Sequence, residues 1–224
     1  MSRYFTKTLA LLEPYTPGEQ LKIADIVKLN ANENPYPPAP GVAAAVAAAV
    51  PGLRLYSDLT NGDLNAAIAR HWGVRPENIL CGNGSDENLL LALRAFCDEN
   101  TPLAFADVTY SFYTVLCDLL HIPQHIIPLE ADLTIDLKKY CGLHETIVIA
   151  NPNAPTSLLA PVDAIEEVLQ TNPDNIVIVD ETYVEFAPAG SSCLPLLEKY
   201  DNLVITHTFS KTHNLACLLY TSPS

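Results

Sequence analysis

Short apolar runs alternate with amphipathic segments along most of the chain. Runs that are apolar on both faces predict buried strands at residues 78–82, 102–107, 146–151, 175–181 and 202–208. Apolar residues at helical spacing predict helices at 42–50, 62–72, 85–98, 111–120 and 161–172. Strands that alternate with helices in this way indicate an α/β fold, in which a mostly parallel sheet is flanked by helices in three layers.

The first forty residues follow a different pattern. They carry many prolines, as in "EPYTPGE" and "NENPYPPAPG", and predict an extended arm over residues 1–40. The alanine-rich run at 41–50 is too short to span a bilayer, and the N-terminus does not resemble a secretory leader. We therefore expect no membrane partner, a main domain over residues 41–216 and a cytoplasmic location.

Composition narrows the classes of partner. Hydrophobic residues make up 49% of the 224 residues, enough for a substantial core. Twelve basic and 26 acidic residues give a net charge of -14, which disfavours binding to nucleic acid. An anionic ligand must then be held by local groups such as helix N-termini. The six cysteines form no CxxC pair, so we expect reduced thiols and predict no metal site.

A glycine-bracketed turn, "CGNGSDE", runs directly into the helix predicted from residue 85. Gly82 and Gly84 allow close approach of the backbone, and Ser85 or Asp86 can cap a helix whose free N–H groups face an anion such as phosphate. A capped helix after an ordinary turn explains the same pattern.

Polar residues also follow two predicted strands. In "ANPNAPTS" two prolines stiffen a turn from which an asparagine amide could donate to a ligand, although such turns are common. Asp180 closes an apolar strand, where a carboxylate is costly without a partner, and Tyr183 follows in the same loop. A helix cap at a strand end is the alternative for Asp180. Ligands in such sheets collect at the carboxyl ends of the strands.

Lys211 stands in the uncharged segment "HTFSKTHNLA", with no acidic residue within four positions. A desolvated lysine has a lowered pKa and can act as a nucleophilic amine. A solvated surface lysine is the alternative.

Taken in order, "NGSDE", "NPNAPTS", "VDETYVEF" and "TFSK" resemble the motifs of fold-type-I aminotransferases that use pyridoxal 5′-phosphate. With "EPYTPGE", "KLNANENPYPPAP" and "RLYSDLTNGDLNAAIA", the similarity spans residue 12 to about 216 and is greatest to the histidinol-phosphate aminotransferase family. The resemblance implies amino-group transfer between histidinol phosphate and 2-oxoglutarate, giving imidazole-acetol phosphate and glutamate in histidine biosynthesis, by a homodimer.

The resemblance also assigns roles to residues. Lys211 would bind the cofactor aldehyde covalently and move the proton during transfer, and Asp180 would pair with the pyridine nitrogen. Tyr183 and an asparagine of "NPNAPTS" would bind the 3′-oxygen of the ring. The remaining assignments are the phosphate contacts Gly84, Ser85, Asp86 and Ser210, the ring-stacking Tyr110, and Tyr56 for the phosphate of the neighbouring subunit.

The chain departs from the family pattern in two places. Family members usually read NPNNPTG, but here Ala154 precedes the second proline, which shifts the expected contact to Asn153, and Ser157 replaces the glycine. After Ala216 the family continues LAGxRxG, whereas Leu219 stands at the arginine position. We therefore expect an atypical tail at 217–224, a largely missing small domain, weak cofactor binding and little turnover.

The sequence is also compatible with other functional hypotheses. An aromatic-amino-acid aminotransferase or an amino-acid-phosphate decarboxylase of the same fold would share the lysine, the aspartate and the tyrosine. Two hypotheses of a different class are a non-catalytic α/β binding module and a truncated product without function. The segment "GNGSDE" lacks both the GxGxxG and the GxxxxGK[ST] nucleotide-binding patterns.

Overall fold

The computed structural model describes residues 4–6, 9–10, 23 and 26–216, so the predicted tail and most of residues 1–25 lie outside the described residues. The chain divides into two compact units. One contains Leu89–His207, and the other contains residues 26–88 and 208–216. The described helices, in chain order, are α1 (Gly41–Ala49), α2 (Gly62–Trp72), α3 (Gly84–Phe96), α4 (Phe112–Leu120) and α5 (Val162–Thr171).

The first unit is built on a parallel five-stranded sheet in the order β2-β1-β3-β4-β5. Its strands are β1 (Leu103–Ala106), β2 (Gln124–Ile127), β3 (Thr146–Ala150), β4 (Val177–Asp180) and β5 (Leu203–Thr206). In the register of the sheet Asp180 pairs with Ala150 on one side and with Thr206 on the other. Three strands therefore end side by side, and the loops that follow them start from one edge.

Helices cover both faces of this sheet, because successive side chains of a strand point to opposite faces. On one face Val148 and Ile178 pack in a buried cluster with residues of α3 and α4, including Leu93 and Leu116. On the other face Ile149, Val177 and Val179 pack with α5, through Ile165, Val168 and Leu169. The structure confirms the predicted three-layer α/β architecture.

Two strand assignments differ from the sequence prediction. Residues 78–82 are not a strand: Pro76–Asn78 forms a single 3₁₀ turn, and Leu80 is largely exposed instead of packed on a sheet. The edge strand β2 was not predicted, because its sequence QHII has polar residues where a central strand would be apolar. The other predicted strands and helices are present, with ends that differ by one or two residues.

The second unit contains α1 and α2. The predicted start of α2 is confirmed, and the Asp58 carboxylate fixes it by accepting hydrogen bonds from the backbone N–H groups of Thr60 and Gly62 at 3.0 and 2.7 Å. The helix ends at Gly73, whose φ of +70° lies in the left-handed region that glycine adopts without strain. Among the described residues, no helix combines the length and the apolar character that crossing a bilayer requires.

Candidate active site

Asp180 ends β4 as a carboxylate that is 5% exposed. Its Oδ1 accepts three hydrogen bonds, from Thr182 Oγ1 (2.8 Å), Thr182 N (3.2 Å) and Thr206 Oγ1 (3.0 Å). Its Oδ2 accepts one, from the hydroxyl of Tyr113 at 2.7 Å. All these donors are neutral, so the described residues of this unit solvate the carboxylate without neutralising its charge.

The loop after β3 is held by two buried asparagines. Asn151 bridges to Ala160, donating to its carbonyl at 3.1 Å and accepting from its N–H at 2.8 Å. The peptide bonds Asn151–Pro152 and Ala154–Pro155 are cis. The loop is thus fixed by side chains that face the backbone, and these contacts position the neighbouring Asn153.

The predicted cofactor contact Asn153 makes three side-chain hydrogen bonds within the protein. Its Nδ2 donates to the carbonyl of Val108 (2.9 Å) and to Thr156 Oγ1 (3.1 Å), and its Oδ1 accepts from Thr109 Oγ1 (2.7 Å). A side-chain amide has two hydrogens to donate, and both are donated within the protein. Asn153 thus ties the loops after β1 and β3 together through both hydrogens of its amide.

Three tyrosines lie in this unit near the strand ends. Tyr113 on α4 is almost fully buried, and Tyr110 just before that helix meets it edge-on, with ring centroids 5.6 Å apart at 87°. Tyr183 follows Asp180 by three residues and is partly exposed. Tyr110 and Tyr183 were predicted site residues. Tyr113 was not, because its place in an apolar helical pattern reads as core.

A second carboxylate follows Asp180 directly. Glu181 is fully buried and accepts hydrogen bonds from Ser192 Oγ (2.6 Å) and from the N–H of Cys193 (2.5 Å). His207 Nε2 lies 3.1 Å from Glu181 Oε2, within ion-pair distance but outside hydrogen-bond geometry. Burial, and then the Glu181 charge, raise the pKa of the Cys193 thiol to about 12. Glu181 thus fixes the segment that begins at Ser192.

In the second unit, Lys211 lies half-buried in the segment that follows β5. Its main-chain carbonyl accepts from Asn34 Nδ2 at 3.1 Å, and its Nζ lies 3.5 Å from the carbonyl oxygen of Ala31. Burial lowers the pKa of the Lys211 ammonium, while the charges of Asp86 and Glu33 raise it by less. The structure thus agrees with the expectation of a desolvated lysine.

Aromatic packing supports the same segment. Phe209 stacks on Trp72 of α2, with ring centroids 6.2 Å apart and planes 11° apart, and His213 meets Phe209 edge-on at 5.1 Å. Ser210, a predicted phosphate contact, is held locally, because Thr208 Oγ1 donates to its Oγ at 3.0 Å. Rings on both sides of Lys211 therefore restrain the backbone that carries its amine.

The glycine turn precedes α3, as predicted. A Cβ at Gly82 would displace the side chain of Asn88, and Gly84 has φ +79°, in the left-handed region that favours glycine. At this helix start Glu87 contributes a contact, because its Oε2 accepts from the N–H of Asn83 at 2.5 Å. Local contacts therefore fix the backbone of this turn.

Comparison with known proteins places this arrangement in a family. The family model of aminotransferase class I and II matches residues 24–218. Histidinol-phosphate aminotransferase 2 of Dechloromonas aromatica and histidinol-phosphate aminotransferase 1 of Bradyrhizobium diazoefficiens are each 45% identical to this chain, covering 96% and 97% of it. The chain spans 62% of the length of each of these curated relatives.

A solved structure supports the fold. The crystal structure of histidinol-phosphate aminotransferase from Sinorhizobium meliloti in complex with pyridoxal 5′-phosphate superposes with a TM-score of 0.82 at 25% identity, covering 97% of this chain and 61% of that one. The parallel sheet with its flanking helices is the large domain of fold-type-I transferases. The chain therefore belongs to the aminotransferase class I and II family.

Proposed function

We propose that this protein binds pyridoxal 5′-phosphate and transfers an amino group from histidinol phosphate to 2-oxoglutarate, a step of histidine biosynthesis. Relatives that are 45% identical over nearly all of this chain carry that activity in their names. This chain spans 62% of the length of each of them.

The observation that carries the proposal is the environment of Asp180. Asp180 is 5% exposed, and among the described residues its carboxylate accepts hydrogen bonds from the neutral donors of Tyr113, Thr182 and Thr206, so it is suited to a cationic ligand. The protonated nitrogen of a pyridine ring supplies such a cation on a flat, mostly apolar group. This environment therefore fits the cofactor, from whose ring N–H the Asp180 carboxylate would accept a hydrogen bond.

Binding of the cofactor aldehyde also requires a neutral amine, which Lys211 can supply. Because burial lowers its pKa, Lys211 reaches the neutral form more readily than a surface lysine does. When bound, pyridoxal phosphate supplies an aldehyde and an electron-withdrawing ring that stabilises negative charge at the substrate α-carbon. Lys211 Nζ would hold the cofactor through its aldehyde and would accept the α-proton of the substrate as a general base. Asp180 would hold the ring nitrogen in its protonated form by pairing with it.

The other proposed contacts are supported by their places on the chain. Tyr183, in the loop after Asp180, donates to the 3′-oxygen, and Tyr110 covers the ring. Gly84, Ser85 and Ser210 supply donors for the phosphate. Asp86 contributes its backbone N–H only, because its carboxylate acts on the Lys211 ammonium. Asn153 is left out, since both its amide hydrogens are donated within the protein.

We further propose a homodimer in the cytoplasm. The segment after α1 exposes most of its apolar side chains, with Leu53, Leu55 and Leu59 more than 60% exposed and Tyr56 fully exposed. A second copy of the chain would cover them, and Tyr56 would then reach the phosphate of its partner. The five described cysteines carry free thiols, in keeping with a reducing compartment. Sedimentation of the wild type and of L55K tests the dimer, which L55K should weaken.

Reduction with borohydride tests the proposal directly. Protein incubated with pyridoxal phosphate and then reduced should carry one pyridoxyl group, located by peptide mapping on Lys211. The variant K211A should carry none, while K138A, which removes an exposed lysine, should behave as the wild type. Labelling spread over surface lysines, or no labelling of folded protein, would refute the cofactor assignment.

The amino donor is tested with the same material. Histidinol phosphate added to the loaded protein should bleach the absorbance of the bound cofactor, and 2-oxoglutarate should restore it. Phenylalanine and threonine phosphate, the donors expected for the alternative activities, should act more slowly. If one of them reacts faster than histidinol phosphate, the assignment changes within the family.

A further inference from the structure

A buried side chain closes the base of the loop that follows β4. Glu181, the first residue of this loop, is 1% exposed, and its Oε1 accepts from the N–H of Cys193 at 2.5 Å. Its Oε2 accepts from Ser192 Oγ at 2.6 Å. One carboxylate therefore joins two points that are 12 positions apart in the sequence, and the segment between them is a closed loop.

Glu181 is itself fixed at the edge of the sheet. Its N–H donates to the carbonyl of Thr206 in β5 at 2.9 Å. Hydrogen bonds to a carboxylate are shorter and stronger than bonds between neutral groups, and a buried donor that loses its acceptor bears the full cost of desolvation. The bonds to Ser192 and Cys193 therefore tie the far end of the loop to a rigid strand end.

Tyr183 lies inside this closed loop. The residues on both sides of it are bonded to the strand end. Thr182 Oγ1 donates to Asp180 Oδ1 at 2.8 Å, and the N–H of Val184 donates to the carbonyl of Glu181 at 3.1 Å. The Val184 side chain is buried, whereas that of Tyr183 is partly exposed. The path of the loop backbone thus determines where the Tyr183 hydroxyl lies.

We propose that Glu181 is a positioning residue for Tyr183: by closing the base of the loop, its carboxylate holds the tyrosine hydroxyl in place to donate to a ligand oxygen. The part of this inference that concerns the 3′-oxygen of pyridoxal phosphate rests on the proposed function. The part that concerns the place of Tyr183 does not, because it is a property of the protein without cofactor.

Two variants loosen the base of the loop in different ways. E181Q keeps one oxygen as an acceptor, but it also alters the contact with His207, whose Nε2 lies 3.1 Å from Glu181 Oε2. S192A keeps both Glu181 and His207 and removes one donor to the carboxylate, together with the acceptor of the Leu194 N–H. An effect that the two variants share therefore comes from the closure of the loop.

Fluorine NMR of 3-fluorotyrosine at position 183 tests the place of the ring without cofactor. A soluble paramagnetic chelate should relax this fluorine about twofold faster in E181Q and in S192A than in the wild type, because the loosened loop exposes the ring. The control E145Q, which neutralises a partly buried carboxylate beside His125 of β2, should behave as the wild type does. If the relaxation is the same in all these proteins, Glu181 does not position Tyr183.

A double-mutant cycle tests the consequence for the cofactor. Y183F should weaken pyridoxal phosphate binding about tenfold and S192A about threefold, as measured by absorbance titration. In the Y183F background S192A should have almost no further effect, because the hydroxyl that the loop positions is absent. A loss that S192A causes equally in both backgrounds would be a general effect on folding and would overturn the positioning role.

The two measurements separate this inference from the proposed function. A wild type that does not bind pyridoxal phosphate, or that binds it no better than Y183F does, contradicts the proposed contact of Tyr183 with the cofactor, and the fluorine relaxation then decides the role of Glu181. A wild type that binds the cofactor, with a Tyr183 fluorine that neither E181Q nor S192A affects, contradicts the positioning role alone.

Discussion

Asn34 and Lys211 are joined by a hydrogen bond between segments 177 residues apart in the sequence: Asn34 Nδ2 donates to the main-chain carbonyl of Lys211 at 3.1 Å. A second bond of the same kind runs from Asn214 Nδ2 to the carbonyl of Pro37 at 3.2 Å. The proline-rich arm, expected to be extended, therefore also holds the backbone that carries the amine.

Replacing Asn34 tests this link. N34A removes the donor to the Lys211 carbonyl, together with the acceptor of the Tyr36 N–H, and should weaken pyridoxal phosphate binding about three- to tenfold. Absorbance titration of the bound cofactor measures the change. N78A, which removes an exposed asparagine that contacts only Arg75 among the described side chains, is the control and should bind as the wild type does. Equal affinities for N34A and N78A would show that the arm does not position Lys211.

The pKa of Lys211 predicts a pH-dependent change in stability. Burial lowers this pKa in the folded protein, so the folded state binds fewer protons than the unfolded state between the two pKa values. The unfolding free energy of the wild type therefore rises with pH through that window. K211M removes the buried charge and should stabilise the cofactor-free protein at pH 7, with a gain that fades towards pH 10 and above.

Urea unfolding at several pH values measures this gain. K138M replaces an exposed lysine in the other unit and should show no such pH-dependent difference from the wild type. A K211M protein that is less stable than the wild type at pH 7 would mean that the contacts of the ammonium outweigh its desolvation.

The layout of the sheet was predictable because its central strands are apolar on both faces. The runs that became β1, β3, β4 and β5 could be read directly, as could the helices that cover them. The edge strand β2 has solvent on one side, so its sequence QHII lacks the signal. Residues 78–82 have the apolar pattern of a strand but pair with no strand among the described residues. Strand pairing depends on the tertiary structure, so the local sequence could not predict this outcome.

The site was predictable where a charge stands in apolar sequence. Asp180 and Lys211 stand out for that reason, since a charge among apolar neighbours must have a function or a partner. Tyr113 and Thr206 gave no such signal, because a tyrosine in an amphipathic helix and a threonine in a strand are ordinary core residues. The hydrogen bonds of Asn153 could not be predicted, because its partners Val108 and Thr109 lie 45 and 44 residues away in sequence.

Neutralising Asp180 should weaken cofactor binding specifically. D180N removes the negative charge that the ring nitrogen requires and turns two acceptors into one, so the affinity for pyridoxal phosphate should fall about 10- to 100-fold. The affinity for the 1-deaza analogue, which lacks the ring nitrogen, should change much less. D107N, at an exposed carboxylate after β1, is the matched control. If D180N loses both compounds equally, its effect is on folding and not on the ring nitrogen.

Glu181 should stabilise the folded protein through its two carboxylate oxygens, which accept buried hydrogen bonds. E181A leaves the hydroxyl of Ser192 and the N–H of Cys193 buried without their acceptor, so it should lower the unfolding free energy by about 2–5 kcal/mol. E181Q keeps one oxygen as an acceptor and should lower the unfolding free energy by about 1–2 kcal/mol. Urea unfolding measures both values.

Because Cys193 is fully buried beside Glu181, its reaction with a thiol reagent should speed up in E181A more than in E181Q. The reaction of Cys117, which is buried elsewhere, should stay slow in both variants. Equal destabilisation by the two variants would show that the charge of Glu181, and not its acceptor geometry, stabilises this loop.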